Sequence, residues 1–252
     1  MTSNTTTDAA AEYAARRAEE WAAFTSKSGP GADRWAAWAE LSYQWKNAVE
    51  FLQPVGLDYP SYLDPLQPLL DRLGGMEEVD LPPAEFTHLT VLRLGFLMSS
   101  DILWSQTESF YVNAAPRIHR VSPFSIRIGG ISAREDALYL GVDDSHQFRE
   151  VRRQIRLGVM KAAETLKSDA EWSPEADRFM PIVPFAYFTG RGDRARVIEA
   201  VEPHLGVELG EHPVTHIKMG RVASDPDIHY PGMDVIAEIG LLGQEYRKGY
   251  HN

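Results

Sequence analysis

The chain has no cysteine in 252 residues, which excludes disulfides, thiolate metal sites, iron–sulfur clusters and cysteine nucleophiles. That absence fits a reducing compartment. No apolar run approaches the roughly 18 residues of a membrane-crossing helix. The start, Met1 to Ala9, is polar rather than basic and then apolar, so it does not read as a signal peptide. These absences predict a soluble, cytoplasmic protein with no membrane partner. Bases are scarce as well: 25 Lys and Arg face 36 Asp and Glu, a net charge of −11. A protein that draws its affinity from many phosphates needs a basic footprint, so long nucleic acids are not expected partners. A small anionic ligand in one locally basic cleft stays open. What is present is an ordinary globular composition, 44% hydrophobic, enough for a substantial core.

Read in order, Met1 to Thr7 looks like a disordered tail, and Asp8 caps a helix running through Tyr13, Arg17, Trp21 and Phe24. From Asp33 the apolar positions Trp35, Trp38, Leu41, Trp45, Ala48 and Leu52 recur every three or four residues. That spacing predicts a second amphipathic helix, ended by Pro54 and Gly56. A short helix around Leu66, Leu69, Leu70 and Leu73 follows, closed by Gly74 and Gly75. Strands are expected over Phe124 to Ile128, Ala137 to Val142, Met180 to Phe188, Val214 to Val222 and Met233 to Leu241. Between them, Asp143-Asp144-Ser145 caps a helix with Phe148, Val151, Ile155, Val159, Ala162 and Leu166 on one face. Its arginines, Arg149, Arg152, Arg153 and Arg156, read as a solvated face. Asp193 caps a further helix ending at Pro203. Trp104, Phe110 and Tyr111 suggest buried aromatic material, and Asp225 to Gly232 reads as a loop, with Asp225, Asp227 and His229 as metal ligands the alternative.

The strongest claim to chemistry is Phe86-Thr87-His88-Leu89-Thr90-Val91-Leu92-Arg93. Apolar and polar residues alternate, which predicts a half-buried strand with His88 and Thr90 side by side on one face and Leu89 and Val91 on the other. An imidazole beside a hydroxyl suits proton transfer, and the plainer alternative is a strand histidine that only makes a hydrogen bond. On a later strand, Thr215, Ile217 and Met219 share one face and His216 and Lys218 the other. If the apolar face packs on helices, His216 and Lys218 point toward the cleft. Arg117, His119 and Arg120 form a basic cluster that lines the cleft or a solvated turn. Tyr187 has the parity of Val183 and Phe185 and reads as core.

From about Thr87 to Leu241 the order of these signals resembles the 2H phosphoesterase superfamily, in particular proteins described as 2′-5′ RNA ligase-like. The pieces that carry the likeness are His88-Leu89-Thr90 with Gly95-Phe96 after it, then Pro123-Phe124 leading to Ile128-Gly129-Gly130. They continue with Leu138-Tyr139-Leu140-Gly141-Val142, the helix near Phe148, and Pro181-Ile182-Val183-Pro184-Phe185-Ala186. The resemblance implies an α+β, bilobal, duplicated sheet-and-helix fold, with residues 81–245 as the 2H-like domain and 1–80 as a helical N-terminal extension. It implies two histidines facing each other across a cleft, working without a metal or other cofactor. Thr or Ser hydroxyls hold the phosphoryl oxygens.

Two departures change that expectation. Where the second motif would place His and Thr or Ser, the chain has Ile182 and Pro184, which supply neither a proton nor a hydroxyl. Loss of one general acid or base costs about 10²–10⁴-fold in rate. Relatives also begin with a strand that joins the sheet, whereas Asp8 to Leu52 reads as two helices, available to cover the cleft, reshape it or pair two copies as a homodimer. The reading leans to a repurposed enzyme acting on a small substrate in a cleft lined by Ile182, Pro184 and His119. In it His88 performs a single proton transfer, as in a cyclisation, isomerisation or elimination. The alternatives are a surviving cyclic phosphodiesterase in which His216, with Lys218, replaces the lost histidine, and a non-catalytic binding protein.

Overall fold

The computed structural model describes residues 4–36, 39, 46–96, 102, 104–159, 179–225 and 227–244. Among these residues nine strands form two antiparallel sheets. The first, in the order β3-β1-β8-β9, joins β3 (His88–Phe96), β1 (Lys46–Pro54), β8 (His216–Asp225) and β9 (His229–Gly240). The second, in the order β2-β6-β5-β4-β7, joins β2 (Val79–Asp80), β6 (Ile182–Phe188), β5 (Ala137–Asp143), β4 (Phe124–Ala133) and β7 (Glu208–Val214). Apolar faces of both sheets meet in one core that contains Phe51, Leu89, Leu92, Ile128, Leu140, Val183 and Phe185. This is the expected α+β architecture of two sheets. Among the described residues no helix is long and apolar enough to cross a membrane.

The first helix, α1 (Asn4–Thr25), begins earlier than expected, so Asp8 lies inside it rather than at its cap. Its alanine-rich sequence favours helix strongly. It lies on β4 and β5, with Tyr13 and Phe24 buried. The second expected helix is corrected. Asp33 does cap a helical turn, its Oδ1 accepting from the backbone N–H groups of Trp35 and Ala36. Trp38, Leu41 and Trp45 lie outside the described residues, but Ala48 and Leu52 belong to β1, a strand between two others. Residues 46–54 are therefore part of the sheeted body and not of a helical extension ending at residue 80. Both faces of β1 are buried, so its pattern carries no alternation to announce a strand.

Later elements fall closer to expectation. Helix α2 (Gln67–Leu73) buries Leu69 and Leu73, and α5 (Arg194–Val201) is capped by Asp193, which accepts from Ala195 N–H. Helix α3 (Trp104–Ile118) packs on α4 (Gln147–Val159). Phe110 is buried in that contact, but Trp104 and Tyr111 are exposed, against expectation. On α4, Phe148, Val151, Ile155 and Val159 face the core as their spacing predicts, and Ala162 and Leu166 lie outside the described residues. Gly129 and Gly130 lie within β4, at a register shift, so that strand runs on past Ile128. The expected loop at Asp225 to Gly232 is a tight hairpin in which Asp225 opposes His229. Strand β7, unforeseen, is an edge strand, where Pro213 is tolerated.

Candidate active site

The two sheets face each other across a cleft of about 770 Å³, with α1 forming a third wall. His88 and Thr90 project into it from β3, as the alternation predicts. Alternation alone would send Arg93 to the other face. In the pairing of β1 with β3, however, Phe51 opposes Leu92 and Leu52 opposes Thr90, which leaves Val91 as an extra residue. That bulge returns Arg93 to the cleft, opposite Glu50.

Glu50, on β1, organises the site. It is 1% exposed. Its Oε2 accepts from Thr90 Oγ1 at 2.8 Å and lies 3.5 Å from His88 Nε2. Its Oε1 accepts from Arg93 Nε at 2.7 Å. Burial by itself would raise this carboxyl, but the Arg93 guanidinium and the His88 imidazole hold it well below the usual carboxylate range. Glu50 therefore stays ionised at every physiological pH. His88 Nδ1 is 2.6 Å from the Phe86 carbonyl, a contact that requires Nδ1 to donate. Nε2 is thus the nitrogen turned toward the cleft and the Glu50 carboxylate.

The facing wall comes from β5 and β6. Ile182 and Pro184 line the cleft, as expected. Tyr187 lines it too, which corrects the core assignment. Leu138 opposes Ala186 and Tyr139 opposes Pro184, so Phe185 is an extra residue and the parity of β6 changes there. The Arg34 guanidinium sits 4.9 Å from the centre of the Tyr187 ring. Burial pushes the phenols of Tyr187 and Tyr230 up, so both remain protonated.

Why position 182 is apolar follows from α1. Tyr13 of that helix packs with Tyr139 and Met180 in a small cluster that Ile182 joins. The helix is held there by Glu12, which pairs with Arg149 at 2.5 Å and His146 at 3.1 Å, and by Glu20, which accepts from Tyr139 Oη at 2.7 Å and Arg134 Nε at 3.1 Å. At the other end of the cleft, Asp80 ties three elements together. It accepts from Trp35 Nε1 at 3.0 Å and lies 2.8 Å from His229 Nδ1, while the two rings stack at 4.3 Å.

Several expected site residues lie elsewhere. His216 and Lys218 do share the sheet face of Val222 and Ser224, which line the cleft, but they lie farther along β8 and not in it. Asp58 takes them both, at 3.2 Å from His216 Nε2 and 2.5 Å from Lys218 Nζ. His119 follows the C-terminal end of α3, where its carbonyl accepts from Gln244 N–H, and it does not line the cleft. Conversely, Arg152 is not on a solvated face. It is buried, lines the cleft and donates to the Val91 carbonyl at 2.6 Å.

Two antiparallel sheets flanking a cleft are a fold shared with LigT-like solved structures. The chain is similar in structure to TT0787 of Thermus thermophilus, at 20% identity and a TM-score of 0.56, over 79% of this chain and 100% of that one. It is also similar to Escherichia coli LigT complexed with NADP+, at 12% identity and a TM-score of 0.52, over 78% of this chain and 99% of that one. A third match, described as a phosphoesterase, has 13% identity and a TM-score of 0.50, over 79% and 97%. No family model matches the chain. No curated protein matches it.

Proposed function

We propose that the protein is an enzyme that acts on a small substrate in the Glu50–His88 cleft by one proton transfer at His88 Nε2, in a cyclisation, isomerisation or elimination. One observation carries this reading: His88 is the one imidazole lining the cleft among the described residues, and the wall it faces presents Ile182 and Pro184. A site with one imidazole offers one group for proton transfer.

The roles follow from the contacts. The Phe86 carbonyl holds the imidazole in one orientation through Nδ1. As Nε2 takes a proton from the substrate, the ring becomes cationic, and the ionised Glu50 carboxylate beside it stabilises that charge. Glu50 keeps its own charge, and Nε2 gives the proton back, to another atom of the substrate in an isomerisation or cyclisation or to the leaving group in an elimination. Three of the cleft guanidiniums pair with carboxylates, Arg34 with Asp136, Arg93 with Glu50 and Arg134 with Glu20, while Arg152 donates to the Val91 carbonyl. These pairings, with the apolar Ile182 and Pro184 on the facing wall, favour a weakly charged substrate. A surviving phosphodiesterase that uses His216 is not favoured, because Asp58 holds that ring outside the cleft.

The test is a panel of neutral, cationic and anionic small molecules, scored by the thermal shift each produces and then by mass spectrometry for product. A compound converted by the wild type and bound but not converted by His88→Gln supports the reading. Compounds that bind the cleft and are never converted would instead mark a binding protein.

A further inference from the structure

In the 2H resemblance the Thr hydroxyl and the histidines surround a phosphoryl group. Here the same donors already surround something. The Thr90 hydroxyl and the Arg93 guanidinium both donate to Glu50, and His88 Nε2 lies 3.5 Å from the same carboxylate. Glu50 arrives from β1, opposite Arg93 in the strand register, and it is almost wholly withdrawn from water. It stands where a bound oxyanion would make its contacts. Arg93 pairs with that charge, and Arg34 and Arg134 on the cleft walls have carboxylates of their own. A phosphate brought to His88 and Thr90 would be a second anion beside the first, in a setting well below the dielectric of water. Like charges about 4 Å apart under those conditions weaken binding by at least about 100-fold.

We propose that Glu50 determines specificity: its carboxylate fills the phosphoryl position of the cleft and excludes phosphate-bearing substrates, so that the substrate presents a neutral or cationic group to His88. The inference rests on the reading of His88 Nε2 as the atom that meets the substrate. The carboxylate acts as a built-in repulsive element, which selects partners by penalising the wrong ones. It also gives the imidazole a fixed counter-charge, so a substrate need not bring one. A cationic or neutral amine, or a neutral carbonyl compound, fits this site better than any phosphomonoester or phosphodiester.

The test uses inorganic phosphate as the probe, on the full chain, with binding followed by calorimetry and by the imidazole nitrogen resonances of His88. Wild type should bind phosphate weakly, with the His88 signals unmoved at millimolar concentrations. Glu50→Gln keeps the side-chain shape and one acceptor oxygen while removing the charge. It should bind phosphate about 100-fold more tightly, with the His88 signals shifted. Tight binding of phosphate at His88 by the wild type, or no gain in the variant, would overturn the proposal. Should Glu50→Gln fail to fold, the wild-type titration decides: saturable movement of the His88 signals overturns the proposal, and its absence supports it. The readout needs no turnover. A failure to find His88-dependent chemistry therefore leaves this result standing, and a failed gain in Glu50→Gln leaves the proton-transfer reading standing.

Discussion

The Thr90 hydroxyl donates to Glu50 Oε2 across the β1–β3 pair at 2.8 Å, so the hydroxyl beside the cleft histidine serves a protein carboxylate. Thr90→Val keeps the shape and removes the donor. Hydrogen bonds to a buried charge are worth about 1.5–3 kcal/mol, and that much stability should be lost. Urea unfolding of wild type and variant measures it, and an unchanged midpoint would contradict the bond.

His216 Nε2 sits 3.2 Å from Asp58 and does not line the cleft. His216→Ala should therefore leave binding and turnover at His88 unchanged, while His88→Ala abolishes turnover. Comparison of the two variants on any converted compound checks this. An equal loss in both would return His216 to the site.

His212 is 1% exposed, packed between the rings of Tyr59 and Tyr62. Burial pulls its imidazole below the ordinary value of 6.5, although Asp58 opposes the shift. Below 6.5 the unfolded chain takes up this proton before the folded one does. Its contribution to stability is thus complete above that pH and is lost as pH falls through the folded value. Below about 4.5 Glu50 adds a further loss, since it too binds its proton later when folded. His212→Phe, which removes the titrating group and keeps a ring, should flatten the stability profile just below pH 6.5 and leave the lower limb in place. Denaturant unfolding across pH reads both limbs, and an unaltered profile in the variant would reject the assignment.

Gly158 lets α3 and α4 approach closely. A Cβ there would lie 2.5 Å from the Asn113 carbonyl oxygen and 2.7 Å from Ala114 Cα, both backbone atoms that cannot rotate away. Gly158→Ala gains about 1 kcal/mol of helix propensity and should still destabilise the fold, because overpacking costs about 1–3 kcal/mol. Thermal unfolding decides the sign, and a stabilised variant would contradict the close packing.

The alternation of His88 to Leu92 was enough to place His88 and Thr90 in one cleft, and the apolar spacing of α4 was enough to orient its core face. Glu50 was out of reach for a definite reason. It lies on a strand buried on both faces, whose Ala48 and Leu52 continue the helical spacing begun by Trp35. Arg93 and Tyr187 were hidden by bulges at Val91 and Phe185, which change parity without any local sequence mark. His216 and Lys218 had the right face and the wrong distance along β8, something only the pairing with β1 and the position of Asp58 reveal. Periodicity reports faces; register and bulges decide which side chains meet.

The most direct test of a one-histidine cleft is the hydrolysis of 2′,3′-cyclic nucleotides by the wild type beside His88→Ala. The account predicts no turnover above background by either protein, because among the described residues no second imidazole lines the cleft and, on the proposed role of Glu50, its carboxylate repels the phosphodiester. Turnover by the wild type that disappears in His88→Ala would contradict it, and would mean that phosphodiester chemistry survives in this cleft.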